Sequence, residues 1–166
     1  LDKMLPGKGS IRERMIKFRN RFLVPKDKIY TLLKNAIENC RVMTEKHLTL
    51  PEGEKLTSEP VIDQPWGAYN WYKGNYTSLI QINISAETRI PDIITDGAHE
   101  GYPGHHVQNI LQEKIFYRDS GWAEFCVQPL FSPINLIMEG AANFAAELLF
   151  PRTEWLAYAK NNICPA

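Results

Sequence analysis

No sign of charge dominates this chain: Lys and Arg together number 19, and so do Asp and Glu. A balanced surface sets up no field to draw in nucleic acid or an anionic membrane, so neither partner is expected. Cysteine is scarce. Cys40, Cys126 and Cys164 lie far apart without a C-x-x-C pair, which speaks against a disulfide framework or a cysteine zinc site and for thiols in a reducing, cytoplasmic setting. The sequence also lacks a signal-peptide core and any apolar run near the roughly 20 residues of a membrane span. Internal repeats and low-complexity tracts are missing as well. What remains suits one domain over residues 1–166, because a hydrophobic content of 44% can fill an ordinary core at this length. The chain begins at Leu1 and stops soon after an apolar helical pattern, so a fragment of a longer protein is expected. Nothing in the residues bears on oligomeric state.

The spacing of apolar residues predicts an α+β chain, mainly helical. Residues 1–50 read as a helical lead-in. Ile11, Met15, Phe18 and Phe22 recur at helical spacing behind Ser10, with Glu13 completing a capping box. The basic residues of that helix, Arg12 to Arg21, read as a solvated face. After Pro25, the stripe Ile29, Leu32, Leu33, Ala36, Ile37, Cys40 and Met43 predicts a second, longer helix. Residues 58–86 are rich in aromatic and β-branched residues and punctuated by Pro60, Pro65, Gly67 and Gly74, which predicts a layer of two or three short strands. In the last of them Ile80, Ile82 and Ile84 alternate with Gln81, Asn83 and Ser85. A polar strand face of this kind suits an edge that pairs with an extended substrate, and it equally suits any half-solvated strand. Residues 91–160 are expected to carry the active-site helices. In 133–150, Ser132 is the N-cap, Pro133 the first helical residue, and Ile134, Ile137, Met138, Ala142, Ala145 and Leu149 the buried stripe.

The chemistry concentrates in "DGAHEGYPGHHVQN", residues 96–109. His99-Glu100 opens like an H-E-x-x-H zinc helix, yet Pro103 stands where the second histidine belongs. In a regular helix the Cα atoms of His99 and His106 would lie about 10.5 Å apart, and His105 would point elsewhere. Pro103 removes an intrahelical donor and Gly104 permits unusual backbone angles, so a bulge here could loop out two residues and return His105 to His99, with His106 as its neighbour. The alternative is a helix that ends near Tyr102, its histidines in an ordinary turn. Spacing alone leaves His105 and His106 both open as the second ligand. A zinc hydrolase also needs a third ligand, an open position for water and a carboxylate to take the proton. Glu139 lies in the small-residue stretch "EGAANFAA", and Asn143, four residues on, could hold the second nitrogen of a ligating histidine. Tyr72 and Tyr76, with Gln81 and Asn83 on the strand face, are candidates for binding a peptide or small amide substrate.

"HEGYPGHHVQ" followed by "EGAANFAAEL" resembles the H-E-x-x-P-G-H-H-x-Q and E-G-x-A-x-x-x-x-E motifs of an uncharacterised family catalogued as domain of unknown function 885. That family is similar to the thermolysin-like gluzincin metallopeptidases. The strand block "PWGAYNWYKGNYTSLIQIN" also resembles the segment before the histidine motif in some members, and the likeness covers roughly residues 25–151. The resemblance implies a zincin-like catalytic core, zinc held by His99, His105 and Glu139, Glu100 as general base, and members several times longer than this chain. Ala141 stands where many members carry Trp, a departure that concerns pocket shape. The expected function is a zinc-dependent hydrolase, first of all a metallopeptidase that uses a zinc-activated water. A non-catalytic binding module that keeps the motifs and a metallohydrolase of non-peptide substrates are the alternatives.

Overall fold

The computed structural model describes residues 2–163, so the expectation for Cys164 lies outside the described residues. Two helices lead, α1 (Ile11–Asn20) and α2 (Lys26–Glu45), followed by β1 (Lys55–Val61), β2 (Ala68–Gly74) and β3 (Thr77–Asn83). Then comes α3 (Ile90–Asp96), which continues into a π-helical turn at Gly97–Gly101 and, after a break, into α4 (His105–Gln112). The long α5 (Pro133–Leu149) and the short α6 (Arg152–Tyr158) complete the order. The chain is thus α+β and mainly helical. Among the described residues no helix is long and apolar enough to cross a membrane.

Both N-terminal helices follow from local chemistry. The Ser10 side chain accepts the Glu13 N–H while the Glu13 carboxylate accepts the Ser10 N–H, which satisfies donors the first turn of α1 would otherwise leave free. Arg14 departs from the solvated face: it is buried and donates to the carbonyls of Asp2 and Leu5. On α2, Ile29, Leu33, Ala36, Ile37 and Cys40 form one buried face. That face receives the π-helical turn very closely. A Cβ added to Gly97 would stand 3.2 Å from the Ala36 Cβ, and one on Gly101 would stand 3.2 Å from the Ile37 side chain. Two glycines four residues apart therefore let the histidine-bearing segment lie directly on α2.

The sheet runs in the order β1-β3-β2. β3 is its central strand, parallel to β1 and antiparallel to β2, with Ile80 and Ile82 fully buried against the helices. The Ile-rich alternation is therefore an inward face, as the pattern predicts. The idea that Gln81 and Asn83 lie on an edge needs correction, because strand order is set by long-range pairing and a central strand has no free edge to offer. β2 and β3 are joined by a two-residue turn, Asn75-Tyr76, with φ of 50° and 57°. Left-handed backbone at both positions matches the twist of a hairpin but is uncommon for tyrosine. The Arg118 guanidinium lies 5.0 Å from the Tyr76 ring centroid and covers it.

Helix α5 crosses behind the π-helical turn and buries Met138, Ala142, Ala145, Ala146 and Leu149. Ile137, expected in that stripe, is 71% exposed, together with Leu136, Phe144 and Leu148. Large apolar residues occur on more than one side of α5, so packing partners decide which of them are buried.

Candidate metal centre

The break at Tyr102–Gly104 returns the chain onto itself. The Gly104 N–H donates to the Ala98 carbonyl at 2.9 Å, a bond reaching six residues back where a regular helix would reach four. A Cβ at Gly104 would lie 1.9 Å from the His99 carbonyl oxygen, so only glycine fits this approach. The next residue, His105, is thereby carried back over His99, and the two rings stand edge to face with centroids 4.6 Å apart.

Glu139 on α5 meets both. Its Oε2 lies 3.4 Å from His99 Nε2 and its Oε1 lies 3.3 Å from His105 Nε2. One ligand atom from each of the three residues falls within 4.8 Å of the others, and the group could hold a metal ion. Ligands about 2.0–2.1 Å from a tetrahedral ion sit roughly 3.3 Å apart, so the spacing fits with little adjustment. The proton positions fit too. Gln108 Nε2 donates to the Met138 carbonyl at 3.0 Å, which turns its Oε1 toward His105 Nδ1 at 3.1 Å. The Nδ1–H then donates to Gln108 and the Nε2 lone pair is left facing Glu139. Burial holds His99 below its ordinary pKa, as does the neighbouring His105, against the opposing pull of Glu139 and a backbone hydrogen bond at Ala142. The neutral imidazole is the ligating form.

Glu100 stands outside this group, its Oε1 4.0 Å from His99 Nε2. Burial raises its pKa to about 8, assisted by the charges of Asp96 and Glu139. Its backbone carbonyl accepts the Asn70 side-chain N–H at 2.6 Å. Asn70 Oδ1 is buried without a partner. Asp96, one turn earlier, is also raised by burial, to about 7 from an ordinary 3.8, with Asp92 adding to the shift. The folded protein therefore binds a proton at Asp96 that the unfolded chain has already lost between about pH 4 and pH 7, so stability falls as pH rises through that window. Asp96→Asn is expected to stabilise the metal-free protein at pH 8 by on the order of 4 kcal/mol, and to leave it unchanged near pH 4. Urea unfolding at both pH values measures the difference, and equal gains at both would contradict it.

A cavity of about 350 Å³ opens over the group, lined by His99, Glu100, His105 and Glu139 on one side and by Asn70, Tyr72 and neighbours on β2 on the other. A second cavity of about 660 Å³ shares Tyr72, Asn109 and Gln128 with it and extends along the strand past Asn75. The structure thus gathers His99, Glu100, His105, Glu139 and Tyr72. Tyr72 lines the cleft while its hydroxyl donates to Glu113; burial first, and then that carboxylate, raises its pKa.

Other expected site residues lie elsewhere. Tyr76 is in the hairpin turn under Arg118. Gln81 links Trp71 to Glu59 across the sheet. Asn83 is buried and holds the carbonyls of Gln64 and Trp66. Asn143 is exposed, and the side chain at the second nitrogen of a ligating histidine, His105, is Gln108. His106 is buried on the opposite side of the segment from the metal group, bonded to Ser78 and Glu54. Gln108 was within reach of sequence reasoning, because it lies one helical turn after His105 on the same helix. Asn70 and Glu54 carry no such local signal. Comparison of the chain with protein-family models, curated proteins and solved structures yields no match.

Proposed function

We propose that this chain is a zinc-dependent hydrolase acting on peptide bonds, with a zincin-like catalytic core and a place in the family its two motifs resemble. The observation that carries the reading is the Gly104 return, which sets His105 against His99 and Glu139 with Glu100 alongside. Two imidazoles and one carboxylate are a donor set suited to zinc in a catalytic site, where a fourth position stays open.

Zinc, when bound, would supply a Lewis acid that polarises the scissile carbonyl. The protein's own groups do the rest. To Glu100 this reading assigns acceptance of a proton from the attacking water at a carboxylate oxygen and its delivery to the leaving amine. The cleft is walled by β2, one of the two edge strands, and this favours an extended peptide. The Asn83 N–H donates to the Gly67 carbonyl, so the antiparallel alternation leaves the backbone groups of Ala68, Asn70 and Tyr72 facing away from β3. Asn70 and Tyr72 are also cleft residues, and an extended substrate can add to such an edge. The free thiols Cys40 and Cys126 accord with a cytoplasmic site of action.

The test is metal stoichiometry. One zinc per chain is expected by elemental analysis of protein prepared without chelator, together with a rise in melting temperature on zinc addition. Both are lost in His105→Ala, which removes a ligand; His106→Gln, if it folds, removes none and retains one zinc per chain, with a lower affinity. Metal-free protein that shows no thermal response to zinc would end the proposal. Cleavage of a peptide mixture followed by mass spectrometry, beside an ester panel, then tests the substrate class.

A further inference from the structure

His106 is wholly buried, and so is Ser78, whose hydroxyl lies 2.8 Å from His106 Nδ1. His106 Nε2 lies 2.9 Å from Glu54 Oε2. The same oxygen accepts the Tyr102 hydroxyl at 2.8 Å, and the Tyr102 and His106 rings meet edge to face at 4.9 Å. On the far side of the carboxylate, Arg41 from α2 approaches Oε1 to 2.7 Å, a charge contact whose angles fall outside hydrogen-bond geometry. The Ser78–His106–Glu54 connectivity is that of a hydrolytic triad, but a serine and histidine with no solvent exposure cannot meet a substrate. Its geometry suits another task. One oxygen of Glu54 grips Tyr102 and His106 at once, on the two sides of Pro103-Gly104, and His105 projects from between them to the opposite side.

We propose that Glu54 is a positioning residue for the metal centre: from behind, it staples Tyr102 to His106 and so sets where His105 presents Nε2 to His99 and Glu139. The inference rests on the metal reading above. A buried carboxylate with a side chain only 4% exposed is costly unless paired. Here it ties α2, the sheet and the inserted segment together at the point where backbone position decides ligand geometry. Because the residues that support metal ligands act on affinity more than on fold, the staple should be visible in metal binding by folded protein.

The experiment uses the whole chain and measures zinc affinity by competition with a chromophoric chelator, and ligand geometry from the visible spectrum of cobalt-substituted protein. Glu54→Gln is expected to weaken zinc binding by roughly 10-fold to 100-fold and to shift the cobalt bands. Tyr102→Phe and Ser78→Ala each remove one hydroxyl and should show smaller changes in the same direction. These two keep the test open if Glu54→Gln does not fold. Ile29→Val, a core change on α2, controls for stability: it should lower the melting temperature while leaving zinc affinity and the cobalt spectrum as in wild type. If wild type and all three staple variants bind zinc equally and share one cobalt spectrum, Glu54 is structural only. If wild type binds no zinc, the metal reading falls and takes this inference with it.

Discussion

Gly104→Ala is expected to lower zinc affinity by on the order of 100-fold or more and to abolish turnover, while most of the helical circular dichroism remains. The added methyl would stand 1.9 Å from the His99 carbonyl oxygen and 2.4 Å from that of Ala98. Both are backbone atoms of a turn pressed onto α2, so no side chain can swing aside to make room. The only relief is to open the return, which breaks the Gly104 N–H bond to Ala98 and moves His105 away from His99. Most of the core lies elsewhere, around α2, β3 and α5, and should survive. Chelator competition and circular dichroism on the same sample separate lost metal from lost fold. Wild-type affinity in this variant would show that the segment reaches the site by another route.

Glu100→Gln should have the opposite signature, with zinc retained and turnover reduced about 10²–10⁴-fold. Glu100 is outside the group of His99, His105 and Glu139, so its replacement by an isosteric amide removes no ligand. An amide cannot take a proton from water, and that step is the one assigned to the carboxylate. Single-turnover kinetics on a cleaved peptide, with zinc content measured alongside, gives both quantities. Unchanged turnover would move the base elsewhere, and lost zinc would make Glu100 a ligand. A binding module would show no turnover in wild type at all.

How much of this is legible in the sequence depends on how local each determinant is. The α1 capping box and the buried face of α2 are patterns within a few turns, and the structure carries both. That His99, His105 and Glu139 meet is what the family resemblance implies; the spacing around Pro103-Gly104 alone leaves His105 and His106 both open. Position across elements is harder to read. Nothing within Thr77–Asn83 states that this strand is central, since that depends on β1 and β2 pairing to its two sides. The pattern therefore presents Gln81 and Asn83 as candidate substrate contacts, whereas both bond within the sheet and its flanking loop. Whether Asn143 reaches a ligating histidine turns on the rotation of α5, and residue spacing within α5 does not fix that rotation. Glu54 is 52 residues from His106, and no periodicity spans that distance.

The bond from the Asn70 side chain to the Glu100 carbonyl, 2.6 Å long, makes the strand beside the cleft and the residue that would take the proton one mechanical unit. On the proposed function, a peptide added to that strand would be registered against Glu100 through this bond. Gln128, Leu130 and Asn135 also line the cleft, beside Val127 and Phe131, which lie largely in solvent.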